Sequence, residues 1–138
     1  MRTILICYEE RPVSGRVLER AAELAKALGA QVIVTSVAPV IGVAPRGTTR
    51  IDLADPPERH AEELRDAAAR LAELGVENVE GVTGIGDPAD TIVELAGQRD
   101  VDLIVLGAHD GGVLSRFFAG SVGDAVVHKA HTDVLVVA

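Results

Sequence analysis

Gly107, Gly111, Gly112, Gly120 and Ser121 are the residues whose types and spacing offer chemistry in this chain of 138 residues. They follow a short apolar run, Val101 to Leu106, and lead into a helix-like segment that opens at Ser121. A strand end, a glycine loop and a helix start present backbone N–H groups that can surround an anion. Glycine permits close approach to the backbone, and a serine hydroxyl at the helix start donates to phosphate oxygen. Glycines alone are a moderate signal, because a tight strand-to-helix connection without a ligand uses the same residues. The Gly120-Ser121 pair shifts the reading toward an anion site. No Walker-type lysine motif and no Ser/His/Asp set is apparent, so binding rather than catalysis is expected.

The elements that must position this loop are legible in order. Thr3 to Tyr8 and Gln31 to Val37 are apolar, β-branched runs suited to strands covered on both faces. Val17 to Leu28 has helical apolar spacing and is followed by Gly29. Ala38 to Asp55 contains Pro39, Gly42, Pro45 and Gly47 and reads as a long loop. Pro57 to Leu74 reads as the second helix, capped by Asp55, with a buried stripe of Ala61, Leu64, Ala68, Leu71 and Ala72. Val79 to Val82 is a weaker strand. Asp87 then caps a third helix that starts at Pro88 and runs to about Gln98. Val101 to Leu106, a helix from Ser121 to Ala130 and a last strand, Val134 to Val137, complete the chain.

Strands alternating with helices predict an α/β fold. The expectation is a doubly wound, five-stranded, mostly parallel sheet with helices on both faces, forming one domain over residues 1–138. In such a sheet ligands bind beyond the carboxyl ends of the strands, where strand order reverses. If the first strand and the Val101–Leu106 strand are neighbours, Tyr8, Glu9 and Glu10 face Gly107 across a cleft. The long loop after the second strand then lies over that cleft.

Composition narrows the partners. A net charge of −8 and only two Phe, one Tyr and no Trp disfavour nucleic acid and anionic membrane. Cys7 is the single cysteine, which excludes an internal disulfide, and its apolar run marks it as a small buried hydrophobe. No signal-peptide pattern is visible, and no apolar run approaches the ~20 residues needed to span a bilayer. A cytoplasmic protein is the expectation.

The chain resembles the universal stress proteins over essentially its whole length. The resemblance is carried by Ile4-Leu5-Ile6, the Gln31–Val37 run, Gly86-Asp87-Pro88 and the helix behind it. It continues in Val101 to Gly107, in Gly120-Ser121-Val122 and in Val134 to Val137. It implies a Rossmann-like fold and a stress-response regulator that binds ATP or AMP, with Mg²⁺. In the family's nucleotide-binding members the pattern is Gly, two residues, Gly, nine residues, then Gly-Ser or Gly-Thr. Laid on this chain, it begins at Gly107 and ends at Gly120-Ser121, followed by Val122.

Three positions depart from the pattern. The second glycine falls on Asp110, whose carboxylate stands where phosphates approach; Gly111 can replace it if the loop shifts, and a bridging Mg²⁺ makes the carboxylate tolerable. The family's aspartate at the end of the first strand corresponds to Glu9, followed here by Glu10 and Arg11. Gly123 stands where the family often has Ser or Thr. Val37 matches the residue that lies against adenine, though a core strand residue looks the same. Arg116 matches a basic position that can meet phosphate or serve as a solvated loop charge. His109 lies in the loop, where a solvent-facing role suits it and no partner His or Cys supports a metal site.

The resemblance thus implies a nucleotide site of Glu9, Val37, Gly107, His109, Asp110, Gly111, Arg116, Gly120, Ser121 and Val122. It also implies a homodimer paired through the apolar C-terminal strand. The alternative is a member that has lost nucleotide, carries no cofactor, and acts through dimer or partner-protein contacts. Asp110, Glu9 and Glu10 motivate it, because added carboxylates oppose phosphate at close range.

Overall fold

A computed structural model describes residues 2–9, 13–38, 40–43, 51–53, 57–108 and 122–138; for 40–43, 51–53 and 57 the backbone alone is described. Its elements are β1 (Thr3–Cys7), α1 (Ser14–Leu28), β2 (Gln31–Ala38), β3 (Val40–Val43), β4 (Ile51–Leu53) and α2 (Pro57–Glu73). They continue with β5 (Val79–Ile85), α3 (Pro88–Gln98), β6 (Leu103–Gly107), α4 (Val122–Lys129) and β7 (Asp133–Val137). Five strands form a parallel sheet in the order β5-β2-β1-β6-β7. The doubly wound α/β expectation is met.

Alternation along the strands builds two cores. Ile4 and Ile6 of β1, Val32 and Val34 of β2, and Leu103 and Val105 of β6 face α1 and α2. Leu5, Ile33, Ile104 and Leu106 face α3 and α4. Because β1 lies between β2 and β6, Ile4, Leu5 and Ile6 are fully buried. Each such side chain contributes about 1.5–3 kcal/mol through burial.

The helices follow from their sequences. Val17, Leu18, Ala21, Ala22 and Ala25 make one buried stripe on α1. Gly29 ends that helix in the left-handed region, φ 64°, with its N–H donating to the Ala25 carbonyl. Asp87 caps α3 as expected: its carboxylate accepts from Asp90 N–H at 2.9 Å, and Pro88 takes the first helical position.

Two expectations are corrected. The stretch read as a long loop contains an antiparallel pair, β3 with β4, whose register shifts between Val40 and Gly42. Proline and glycine obscured it, since each strand is only three or four residues long. The buried stripe of α2 is His60, Glu63, Leu64, Ala67 and Leu71, whereas Ala72 is exposed and Ala61 and Ala68 are half-buried. Leu64 and Leu71 of the expected stripe are buried, and its three alanines missed the inner face because the polar His60 and Glu63 occupy it. The proposed Asp55 cap lies outside the described residues.

Polar ties fix the opposite end of the sheet. The Asp102 carboxylate accepts from the N–H groups of Arg2 and Thr3, at 2.8 and 3.0 Å. Those bonds, the Arg2 one first, hold its pKa below the usual aspartate value. At the β5 edge Arg99 grips Glu80 with two bonds of 2.8 and 2.6 Å, and the Arg99 hydrogen bonds hold the Glu80 carboxyl low. Among the described residues no helix is long and apolar enough to cross a membrane.

Candidate functional site

Strand order reverses between β1 and β6. From β1 the chain winds outward through β2 to β5, whereas β6 and β7 lie on the other side. The register Ile4↔Leu103, Leu5↔Ile104, Ile6↔Val105 sends both strands to the same end of the sheet. The helices that follow them, α1 and α4, pack on opposite faces of the sheet, the arrangement that marks the ligand crevice of open α/β sheets. The expectation that these two strands are neighbours is therefore met.

Four of the sequence-predicted site residues are described, and all four lie at this end. Glu9 stands two residues beyond β1 and is half-buried, with its carbonyl accepting from the Ser14 hydroxyl. That bond ties the start of α1 to the strand end. Gly107 is the last residue of β6, half-buried, in register with Val137 of β7. The next N–H, from Ala108, is taken by the Val137 carbonyl at 2.7 Å and so faces the neighbouring strand. Val37 lies near the end of β2 and Val122 opens α4. Both pack against the α3–α4 core. His109, Asp110, Gly111, Arg116, Gly120 and Ser121 lie outside the described residues.

The floor of this region is apolar. Cys7 borders the α3–α4 core, and burial pushes its thiol up to about 12, so it is a protonated, unreactive group at neutral pH. Beside Val37, in register with it on β5, Gly84 makes room for α3. A Cβ at Gly84 would come within 2.8 Å of the Thr91 methyl and 3.5 Å of Val37 Cγ2.

On the other face of β2 the structure assembles a group that sequence reading missed. Ser36 Oγ lies 2.5 Å from His60 Nδ1 and donates to Glu63 Oε2 at 3.1 Å. Arg59 Nε stands 3.5 Å from Glu63 Oε1. Ser36, His60 and Glu63 are 2%, 6% and 6% exposed. The spacing His60–Glu63 on one helix was visible, but its partner on β2 was not, since it comes from a separate element. The resemblance to a nucleophilic triad is only nominal. The serine hydroxyl lies within hydrogen-bond reach of the carboxylate as well as the imidazole, and it is buried from solvent.

The universal stress protein family model matches residues 1–138. A universal stress protein of Methanocaldococcus jannaschii is 32% identical over 140 residues, covering 99% of this chain and 81% of the relative. The crystal structure of a universal stress protein in complex with cAMP superposes with a TM-score of 0.74 at 28% identity, covering 99% of this chain and 96% of that one. That of the universal stress protein from Archaeoglobus fulgidus in complex with dAMP gives 0.70 at 26% identity, covering 100% and 98%. With the fold, the switch point and the full-length match in agreement, the chain belongs to the universal stress protein family.

Proposed function

We propose that this protein binds ATP or a related adenine nucleotide at the crevice between β1 and β6 and acts as a stress-response regulator rather than an enzyme. One observation carries the reading. Parallel β1, β2 and β6 end together, so Glu9, Val37, Gly107 and Val122 lie at one end of the sheet beside the reversal of strand order, in a family with solved complexes of cAMP and dAMP. In this reading Gly107, Gly111, Gly120 and Ser121 hold the phosphates, with the start of α4 at Val122 supplying N–H groups. Val37 meets the base, and Glu9 accepts from the ribose hydroxyls. His109 and Arg116 complete the phosphate side, and Mg²⁺ lies between Asp110 and the phosphates. Residues 1–138 act as a single domain.

The residues present suit an adenosine better than a second anion. Val37 is half-buried and apolar, and Glu9 brings a carboxylate, which takes hydroxyl donors and repels phosphate. The nucleoside therefore belongs toward β1 and β2, and the phosphates toward β6 and α4.

The test is direct. Protein purified without added nucleotide is heat-denatured and any released adenine nucleotide identified by chromatography; in parallel it is melted with and without millimolar Mg-ATP. A ligand present at 100 times its Kd stabilises the native state by about 2.7 kcal/mol, a readily measured shift. Release or an upward shift is expected. If both are absent, the family member that acts through protein contacts without nucleotide takes its place. Asp110→Gly should raise ATP affinity in a titration with Mg²⁺, and an unchanged or lower affinity removes Asp110 as an obstacle.

The working unit in this reading is a homodimer paired through β7. That strand lies at the sheet edge, with Val136 44% exposed and Val127 of α4 51% exposed. An apolar parallel edge is a hazard unless another strand covers it. A groove of about 330 Å³ beside it is lined by Arg16, Arg20 and Glu23 together with residues 135–138, so both charge signs are available to a two-fold partner. Sedimentation at micromolar concentration should give a dimer, and a monomer there overturns the assignment.

A further inference from the structure

We propose that Ser36, His60 and Glu63 form a proton-ordered latch that positions the nucleoside end of the cleft. The inference rests on the nucleotide-binding reading above and gives it a positioning element away from the phosphates.

The first argument is placement. Ser36 directly precedes Val37 on β2, and adjacent side chains point to opposite faces. Val37 turns toward Gly84 and the α3 side, and Ser36 toward α2. Restraining the Ser36 side chain therefore fixes the backbone that presents Val37. His60 lies in the first turn of α2, which begins at Pro57, and Glu63 lies one turn further on. Ser36 and His60 thus sit at the two stems of the connection that contains β3 and β4. Their bond closes the base of that connection.

The second argument is the order of protons. A carboxylate only accepts, so the Ser36 hydroxyl spends its single proton on Glu63 Oε2 at 3.1 Å. At 2.5 Å the remaining contact must then be filled by a proton on His60 Nδ1 donating to Ser36 Oγ. The chain runs His60 Nδ1–H to Ser36 O–H to Glu63 carboxylate, with Arg59 on the other carboxylate oxygen at 3.5 Å. This fixes one histidine tautomer and one direction for the hydroxyl. A group chosen to fill space needs no such order. Buried polar sets are sensitive to every member, so this one selects a single arrangement of α2 against β2.

Isothermal titration of the full chain with Mg-ATP tests it. His60→Asn places an amide N–H near the position of Nδ1, whereas His60→Leu keeps comparable bulk and removes the donor. His60→Asn should keep affinity close to the unsubstituted protein. His60→Leu and Ser36→Ala should weaken it about tenfold, the loss of one buried hydrogen bond. Equal affinities for His60→Asn and His60→Leu, whether both retained or both lost, overturn the latch. Failure of the unsubstituted protein to bind ATP overturns the nucleotide reading and the latch with it. Binding there with indifferent variants overturns the latch alone.

A second measurement needs no variant to fold. Nitrogen-15 NMR of the histidine rings in the unsubstituted protein should find His60 protonated on Nδ1 at neutral pH, with its ring signals moving on saturation by Mg-ATP. An Nε2–H tautomer, or signals unmoved by bound nucleotide, overturns the proposal.

Discussion

The two faces of the sheet are built from similar apolar residues yet are joined to their helices differently. Under α3 and α4 the described contacts are apolar, and the one buried hydroxyl, Thr35, bonds within the sheet to the Val82 carbonyl at 2.8 Å. Under α1 and α2 a buried carboxylate, imidazole and hydroxyl cross from helix to strand. Apolar packing sets how closely a helix sits but tolerates small shifts. A hydrogen-bonded set also fixes where along the strand the helix sits. The α2 side therefore carries the registration, and the α3–α4 side carries most of its stability as burial alone.

The largest effects should come from cavities, and they should be alike on both faces. Ile104→Ala and Leu71→Ala each remove a fully buried side chain and should cost about 2–5 kcal/mol in denaturant unfolding. A marked difference between them would reveal that one core relaxes. Ser36→Ala comes next, at about 1–3 kcal/mol, because it strands buried polar partners. Converting the whole set, Ser36→Ala with His60→Leu and Glu63→Met, makes the first face as apolar as the second. Stability should then return to the starting level or rise, as with buried ion sets elsewhere, while ATP affinity stays low. That divergence is the sharpest form of the contrast.

Smaller effects follow on the apolar face. Gly84→Ala forces the Thr91 methyl aside and should destabilise by about 1–3 kcal/mol, with Thr91→Ser relieving most of the loss in a double-mutant cycle. Asp87→Ala removes the α3 cap and should cost about 1 kcal/mol. The weakest effect belongs to Asp102, whose pKa the Arg2 and Thr3 N–H groups lower. Its contribution is present above the unfolded value of about 3.9 and is lost as pH falls through the lower folded value. The stability gap between the protein and Asp102→Asn should close over that acid range, and a gap that persists below it refutes the linkage.

Strands and helices with clear periodicity were legible from sequence, because both faces of a parallel sheet demand continuous apolar runs such as Thr3–Cys7. The caps at Gly29 and Asp87 were legible because their chemistry is local. Less visible were features that depend on a distant partner. The hairpin of β3 and β4 pairs segments too short to announce themselves. His60 and Glu63 look like solvent residues until Ser36 meets them. For the site, the adjacency of β1 and β6 entered only as a condition, because chain order does not locate the reversal, and topology supplied it. Glu9, Val37, Gly107 and Val122 were found by resemblance and lie at one end of the sheet.

The Asp102 clasp on Arg2 and Thr3 joins residues about one hundred positions apart in sequence. During synthesis β1 is made before β2 and can pair with it once α1 has formed, a local closure. Its other edge stays open until β6 is made, more than two-thirds of the chain later. The central strand, whose Ile4, Leu5 and Ile6 end fully buried, thus stays half-covered through most of the chain's synthesis. Long-range parallel pairing of this kind slows folding and leaves nascent chains prone to stick to one another. The protein's yield in a crowded cell should therefore depend on how quickly its second half arrives.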